Sequence, residues 1–132
     1  MASSKPTAVP VFRGVPDKLD AFKGYQKARE LFEFVVEDFS PLARNPVCGR
    51  LVGQQVASAD SICANIEEGF GRGSKKEFAL FLGYARGSAR ETRGRYERMH
   101  HWIGPDLIPA RVALCSEIIA ILVRTMVRLR GA

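Results

Sequence analysis

Three glycines in five residues, Gly69, Gly71 and Gly73, separate two apolar patterns of helical period. Before them, Val56, Ala59, Cys63, Ile66 and Phe70 recur at steps of three and four. After them, Phe78, Phe81, Ala85, Ser88, Thr92 and Tyr96 do the same. Glycine takes the left-handed conformation without a Cβ penalty, so it suits the residue just past a helix end. Ser74 lies three residues before Glu77, the spacing of a capping box in which side chains satisfy the first free N–H groups of a new helix. The stretch from Ser61 to Glu91 therefore predicts two helices and a tight turn. A chain built on that hairpin must find further helices to cover its apolar faces.

The rest of the chain supplies them. Phe22, Tyr25, Ala28, Leu31, Phe32, Val35 and Phe39 predict a first helix over Leu19 to Phe39, stopped by Pro41. Its outer face is expected to be acidic, through Glu30, Glu33, Glu37 and Asp38. A second helix is expected from about Val47 to Glu68, weakened at Gly53 by about 1 kcal/mol relative to alanine. The third runs from about Lys75 to His100. After Ile103-Gly104-Pro105, a fourth starts near Pro109 and ends near Arg130. In it Ile108, Val112, Cys115, Ile119, Leu122, Met126 and Leu129 form a heptad seam, with a second apolar row at Leu114, Ile118 and Ile121. The predicted fold is all-α, an antiparallel up-down-up-down four-helix bundle over residues 20–132. Residues 1–19, with three prolines and no period, read as an N-terminal arm that Val11 and Phe12 could tie to the bundle.

The run ANIEEGFGRGSKKEF over residues 64–78, followed by Gly87-Ser88 and Glu91, resembles the signature of a bacterial four-helix-bundle family. That family includes the proteins encoded within intervening sequences of 23S rRNA genes and the accessory variability proteins of retroelements. The resemblance extends more weakly to Tyr25-Gln26-Lys27-Ala28, Leu31 and Phe39-Ser40-Pro41. Asn65, Glu68, Gly69, Gly71 and Glu91 carry it as structural positions. It implies a non-catalytic ring of five subunits that binds nucleic acid, or that serves a protein partner such as a reverse transcriptase. The chain also departs from the family. Val56-Ala57 stands where members often have two arginines, Cys63 where a proline is common and Asp60 where a valine is. Binding through second-helix arginines therefore does not carry over.

Charge locates the remaining candidates. The net charge is +6. Residues 1–60 hold eight basic and seven acidic side chains, whereas residues 61–132 hold twelve and seven. Arg86, Arg90 and Arg93 share a face of the third helix, and Arg95 and Arg98 are expected to extend it. Arg72, Lys75 and Lys76 surround the N-terminus of that helix, where free N–H groups favour anions. Arg124, Arg128 and Arg130 would join them if the last two helices are neighbours. The plain alternatives are a solvated helix face with ion pairs, and cations that complement a helix C-terminus. A polar row at Ser58, Ser61, Asn65, Glu68 and Arg72 reads as a solvated face or as an edge contact.

Little points to chemistry. The glycine-rich turn follows no strand and lacks the spacing of a phosphate loop. His100 and His101 are adjacent, so their side chains diverge, and helix capping explains them better than a metal. Cys48, Cys63 and Cys115 have no metal-ligand spacing and read as reduced thiols. No catalytic residue, metal or cofactor is expected. With no uninterrupted apolar run of spanning length and no signal-like N-terminus, a cytoplasmic protein without a membrane partner is expected.

Overall fold

The computed structural model describes residues 18–131. The expected contacts of Val11 and Phe12 lie outside them. A short 3-10 turn at Lys18–Ala21 buries Leu19 and leads into helix α1, Lys23–Phe39. Helix α2 is Gly49–Gly71, α3 is Lys75–Arg98 and α4 is Ile108–Gly131. Pro41 lies in the 3-10 turn that follows α1. Asn45 then accepts hydrogen bonds at Oδ1 from the backbone of Val47 and Cys48, turning the chain into α2.

Helices adjacent in sequence are neighbours in space, and α4 closes against α1. Cross-contacts fix the directions. Ser58 meets Thr92 and Ser61 meets Ser88, so α2 and α3 are antiparallel. Arg93 meets Ser116, and Gly83 lies against Met126, so α3 and α4 are too. Asp38 meets Arg111 while Lys27 meets Glu117, which orients α1 against α4. The result is the up-down-up-down bundle. Helices α1 and α3 lie on one diagonal, and Phe39 touches Tyr96 edge-on across the core.

The core holds Leu31, Val35, Ile62, Ile66, Leu82, Tyr96, Ile118 and Leu122, all fully buried. In α4 the buried row is Arg111, Cys115, Ile118, Leu122, Thr125 and Met126. Ile108, Val112, Ile119 and Leu129 of the expected seam are only half-buried and pack at its edge. The row is displaced because α4 must face both α1 and α3.

The turn between α2 and α3 is tighter than the glycines alone predict. Gly69 and Gly71 remain in α2, and Gly73 is the left-handed residue, at φ +83°. Gly69 serves a different purpose. A methyl group there would stand 2.6 Å from Phe81 Cβ, so this glycine lets α3 cross α2 at close range. Ser74 caps α3 by accepting from the Glu77 backbone N–H at 3.1 Å.

Asp38 is not on the acidic outer face of α1, contrary to the expectation. Its side chain is 6 % exposed and takes a bidentate pair from Arg111 of α4, at 2.7 and 3.2 Å. The Tyr96 hydroxyl donates to the same carboxylate at 2.7 Å. The Arg111 guanidinium also stacks on Phe34, 3.8 Å from the ring centroid. Burial disfavours the Arg111 charge, but the Asp38 hydrogen bonds and attraction outweigh it and hold its pKa above the usual arginine value.

Candidate nucleic-acid interface

The four helices divide the charge by halves. Helices α1 and α2 carry four basic and seven acidic side chains, a net of −3. Helices α3 and α4 carry eleven basic and four acidic ones, a net of +7. Arg95 and Arg111 among them are buried, so nine basic and four acidic side chains, a net of +5, remain towards solvent on this half of the bundle.

The flank is best organised at one end. The antiparallel pairing brings the N-terminus of α3 beside the C-terminus of α4. A shallow cleft opens between them, lined by Lys75, Lys76, Glu77, Leu80, Leu129 and Arg130, with Ser74 at its edge. Lys75 and Lys76 are exposed in the first turn of α3, where the helix dipole opposes cations. An anion in the cleft would meet both lysines, Arg130 and that same dipole. Arg124 and Arg128 are exposed too, but they do not join the cleft: they continue the row of Glu117 and Ile121, which meet Lys27 and Gly24, and so lie on the α1 side of α4. Arg128 donates weakly to Thr125 Oγ1 at 3.4 Å.

Other candidates separate. Arg72 is engaged. Its Nε donates to Glu68 at 3.0 Å, its Nη1 lies 3.6 Å from Glu77, and its guanidinium rests on the Phe81 ring. Glu68 is thereby explained as the partner of the turn arginine. Arg86 and Arg90 are exposed, but Arg93 is half-buried and donates to Ser116 Oγ at 3.1 Å, bracing α3 on α4.

Arg95 does not extend the basic surface. It is 8 % exposed and points into the α2–α3 seam, where Nη1 donates to Gln55 Oε1 at 2.8 Å and Ser58 Oγ at 3.1 Å. Burial, then repulsion from Arg98, lowers its pKa. The polar row of α2 is in part this seam. Ser58 shares a hydrogen bond with Thr92, and Ser88 donates to Ser61. Asn65 donates to Ser61 on its own helix. The complementary row Ser88, Thr92 and Arg95 on α3, at helical spacing, was the available sequence signal for it. Of the remaining signature positions, Gly71 faces open space and Glu91 is exposed.

Nothing among the described residues groups three His, Cys, Asp or Glu side chains for a metal. Burial pushes the Cys63 and Cys115 thiols up to about 12, so both stay protonated and unreactive at neutral pH. His100 and His101 lie in a 3-10 turn after α3, both exposed, with their rings 4.0 Å apart. Among the described residues no helix is long and apolar enough to cross a membrane.

No curated protein sequence matches the chain. The family model described as 23S rRNA-intervening sequence protein matches residues 20–102, from the turn before α1 to the end of the α3 region. That span covers the hairpin, the close-crossing Gly69 and the Ser74 cap, and it leaves α4 outside the match. The chain belongs to the 23S rRNA-intervening sequence protein family.

Proposed function

We propose that this protein is a non-catalytic, self-assembling scaffold of the cytoplasm that binds the backbone of RNA or DNA through the α3–α4 flank. The observation that carries this reading is the convergence of Lys75, Lys76 and Arg130 on one cleft, at the end of a half-bundle whose surface side chains carry a net charge of +5. Contacts of this kind read phosphate and shape rather than sequence. A ring of five subunits, as the family resemblance implies, would repeat the patch and multiply weak contacts through avidity.

The reading shifts the weight away from Arg86, Arg90 and Arg93 towards the bundle end, because Arg93 already braces α4. The test is a fluorescence titration of duplex DNA and of a structured RNA with wild type and Lys75→Gln/Lys76→Gln/Arg130→Gln. The variant should bind more weakly on both probes. With duplex DNA, its plot of log affinity against log salt should be shallower by about three units, roughly one per lost phosphate contact. Unchanged affinity in a correctly assembled variant would transfer the case to a protein adaptor, with a partner such as a reverse transcriptase instead of nucleic acid.

A further inference from the structure

Helix α3 ends in a turn whose two tips sit in the core and whose middle faces water. Met99 is fully buried and Ile103 is nearly so, whereas His100, His101 and Trp102 between them are exposed. The 3-10 turn sets this pattern, because the backbone N–H groups of Trp102 and Ile103 both donate to the Met99 carbonyl, at 2.9 and 3.0 Å. The three rings stand in contact outside it. His100 and His101 have centroids 4.0 Å apart, and His101 meets Trp102 edge to face at 5.4 Å. Neither imidazole nor the Trp102 indole N–H makes a hydrogen bond among the described residues, so helix capping, which the sequence position of the histidines suggests, is not their role. The exposed charges nearby are Arg98, Glu97 and Asp106, which offer no cationic excess like that of the Lys75 cleft. What the turn presents is aromatic surface.

We infer that His100, His101 and Trp102 form a stacking platform for unpaired nucleobases. Every base has a π face, so such a contact accepts any sequence, and it needs bases that are free of a duplex. Trp102 is the only tryptophan of the chain, and it keeps 36 % of its surface in water beside two imidazoles without partners. A planar ring laid on that surface removes apolar area from water and leaves the indole N–H free to donate. The platform and the Lys75 cleft occupy opposite ends of the 24-residue α3, about 36 Å apart at 1.5 Å per residue. One polynucleotide with paired and unpaired segments reaches both: its backbone lies on the cleft and its free bases on the turn. This names the class of ligand for the function proposed above and rests on that reading.

The experiment uses the fluorescence of Trp102 in the full chain, titrated with an oligothymidylate of about twelve nucleotides and with a blunt duplex of the same length. The single strand should quench Trp102, and the duplex should leave it unchanged. The quench at saturation should survive in Lys75→Gln/Lys76→Gln/Arg130→Gln. Anisotropy of a labelled oligothymidylate measures affinity in the variants. Trp102→Ala should weaken binding by about 5- to 150-fold, the contribution of one stacked base, and Trp102→Phe by less. Both should keep the wild-type affinity for the duplex, with helicity verified by circular dichroism. A wild type that the single strand does not quench overturns the inference, and so does Trp102→Ala binding the single strand as wild type does. Unchanged duplex affinity in the Lys75→Gln/Lys76→Gln/Arg130→Gln variant instead overturns the cleft, while the quench decides the platform by itself.

Discussion

Replacing Asp38 by alanine tests whether the buried pair with Arg111 holds α1, α3 and α4 together. The side chains of Arg111 and Asp38 are 4 % and 6 % exposed, so solvent does not screen their interaction. Asp38→Ala strands the guanidinium with its bidentate partner gone and leaves the Tyr96 hydroxyl without its acceptor. Breaking a buried pair from one side costs about 3–5 kcal/mol. The stranded hydroxyl places the expected loss at the upper end, because an unsatisfied buried polar group costs about 1–3 kcal/mol of its own. Against a total stability of about 5–15 kcal/mol, that is a large fraction. For a domain of this size it corresponds to a fall in Tm of roughly 10–20 °C. Urea unfolding followed by circular dichroism measures it, at one fixed protein concentration for all variants. Asp38→Ala/Arg111→Leu removes both charges and should recover much of the loss, because an apolar pair often replaces a buried ion pair at little cost. A loss below about 1 kcal/mol for Asp38→Ala would refute the reasoning. So would a double variant as unstable as the sum of its singles, since side chains in direct contact should show a coupling of about 0.5–3 kcal/mol.

Gly69→Ala should destabilise the bundle by about 1–3 kcal/mol, because the added methyl meets Phe81 Cβ at 2.6 Å. Gly53→Ala, with open space around it, should instead stabilise by up to about 1 kcal/mol, and a pair of thermal melts separates the two glycines. Ser74→Ala should cost about 1 kcal/mol through loss of the α3 cap, readable as a lower urea midpoint. At alkaline pH the folded Cys63 and Cys115 keep their protons up to about 12, against an ordinary 9.0, and the buried Tyr96 hydroxyl is likewise raised. The unfolded chain releases these protons first, so stability should be whole below pH 9.0 and fall as pH rises towards about 12. The slope is up to about 1.4 kcal/mol per pH unit for each group. Urea midpoints that stay level from neutral pH to about pH 10.5 would contradict the burial of these groups.

Much of the fold is legible because helix ends and apolar rows are local properties. Ser74 with Glu77, and the alternation from Val56 to Tyr96, specify the hairpin without knowledge of anything distant. The interior charges are harder to read. Asp38 closes an acidic run at the end of α1 and looks solvated, although it follows Phe34 and Val35 by one helical turn. Arg111 stands i−4 from Cys115 and i−7 from Ile118, a core register that only a partner on another helix makes tolerable. Arg95 likewise looks like one more surface arginine until Gln55 and Ser58 are seen opposite it. Composition placed the basic excess in the second half of the chain. Which arginines brace the bundle and which remain exposed depends on packing across helices. The same holds for Lys75, Lys76 and Arg130, since the last is over fifty residues from the others and joins them only through the antiparallel pairing of α3 and α4.

The central claim is that the α3–α4 flank binds phosphate backbone. The most direct measurement is the affinity of the wild-type protein for duplex DNA across a salt series. Contacts at Lys75, Lys76 and Arg130 predict a fall in log affinity with log salt of slope about −3. Assembly should steepen it by adding further copies of the patch to one duplex. A slope near zero, or no binding at low salt by a correctly folded protein, would contradict the claim.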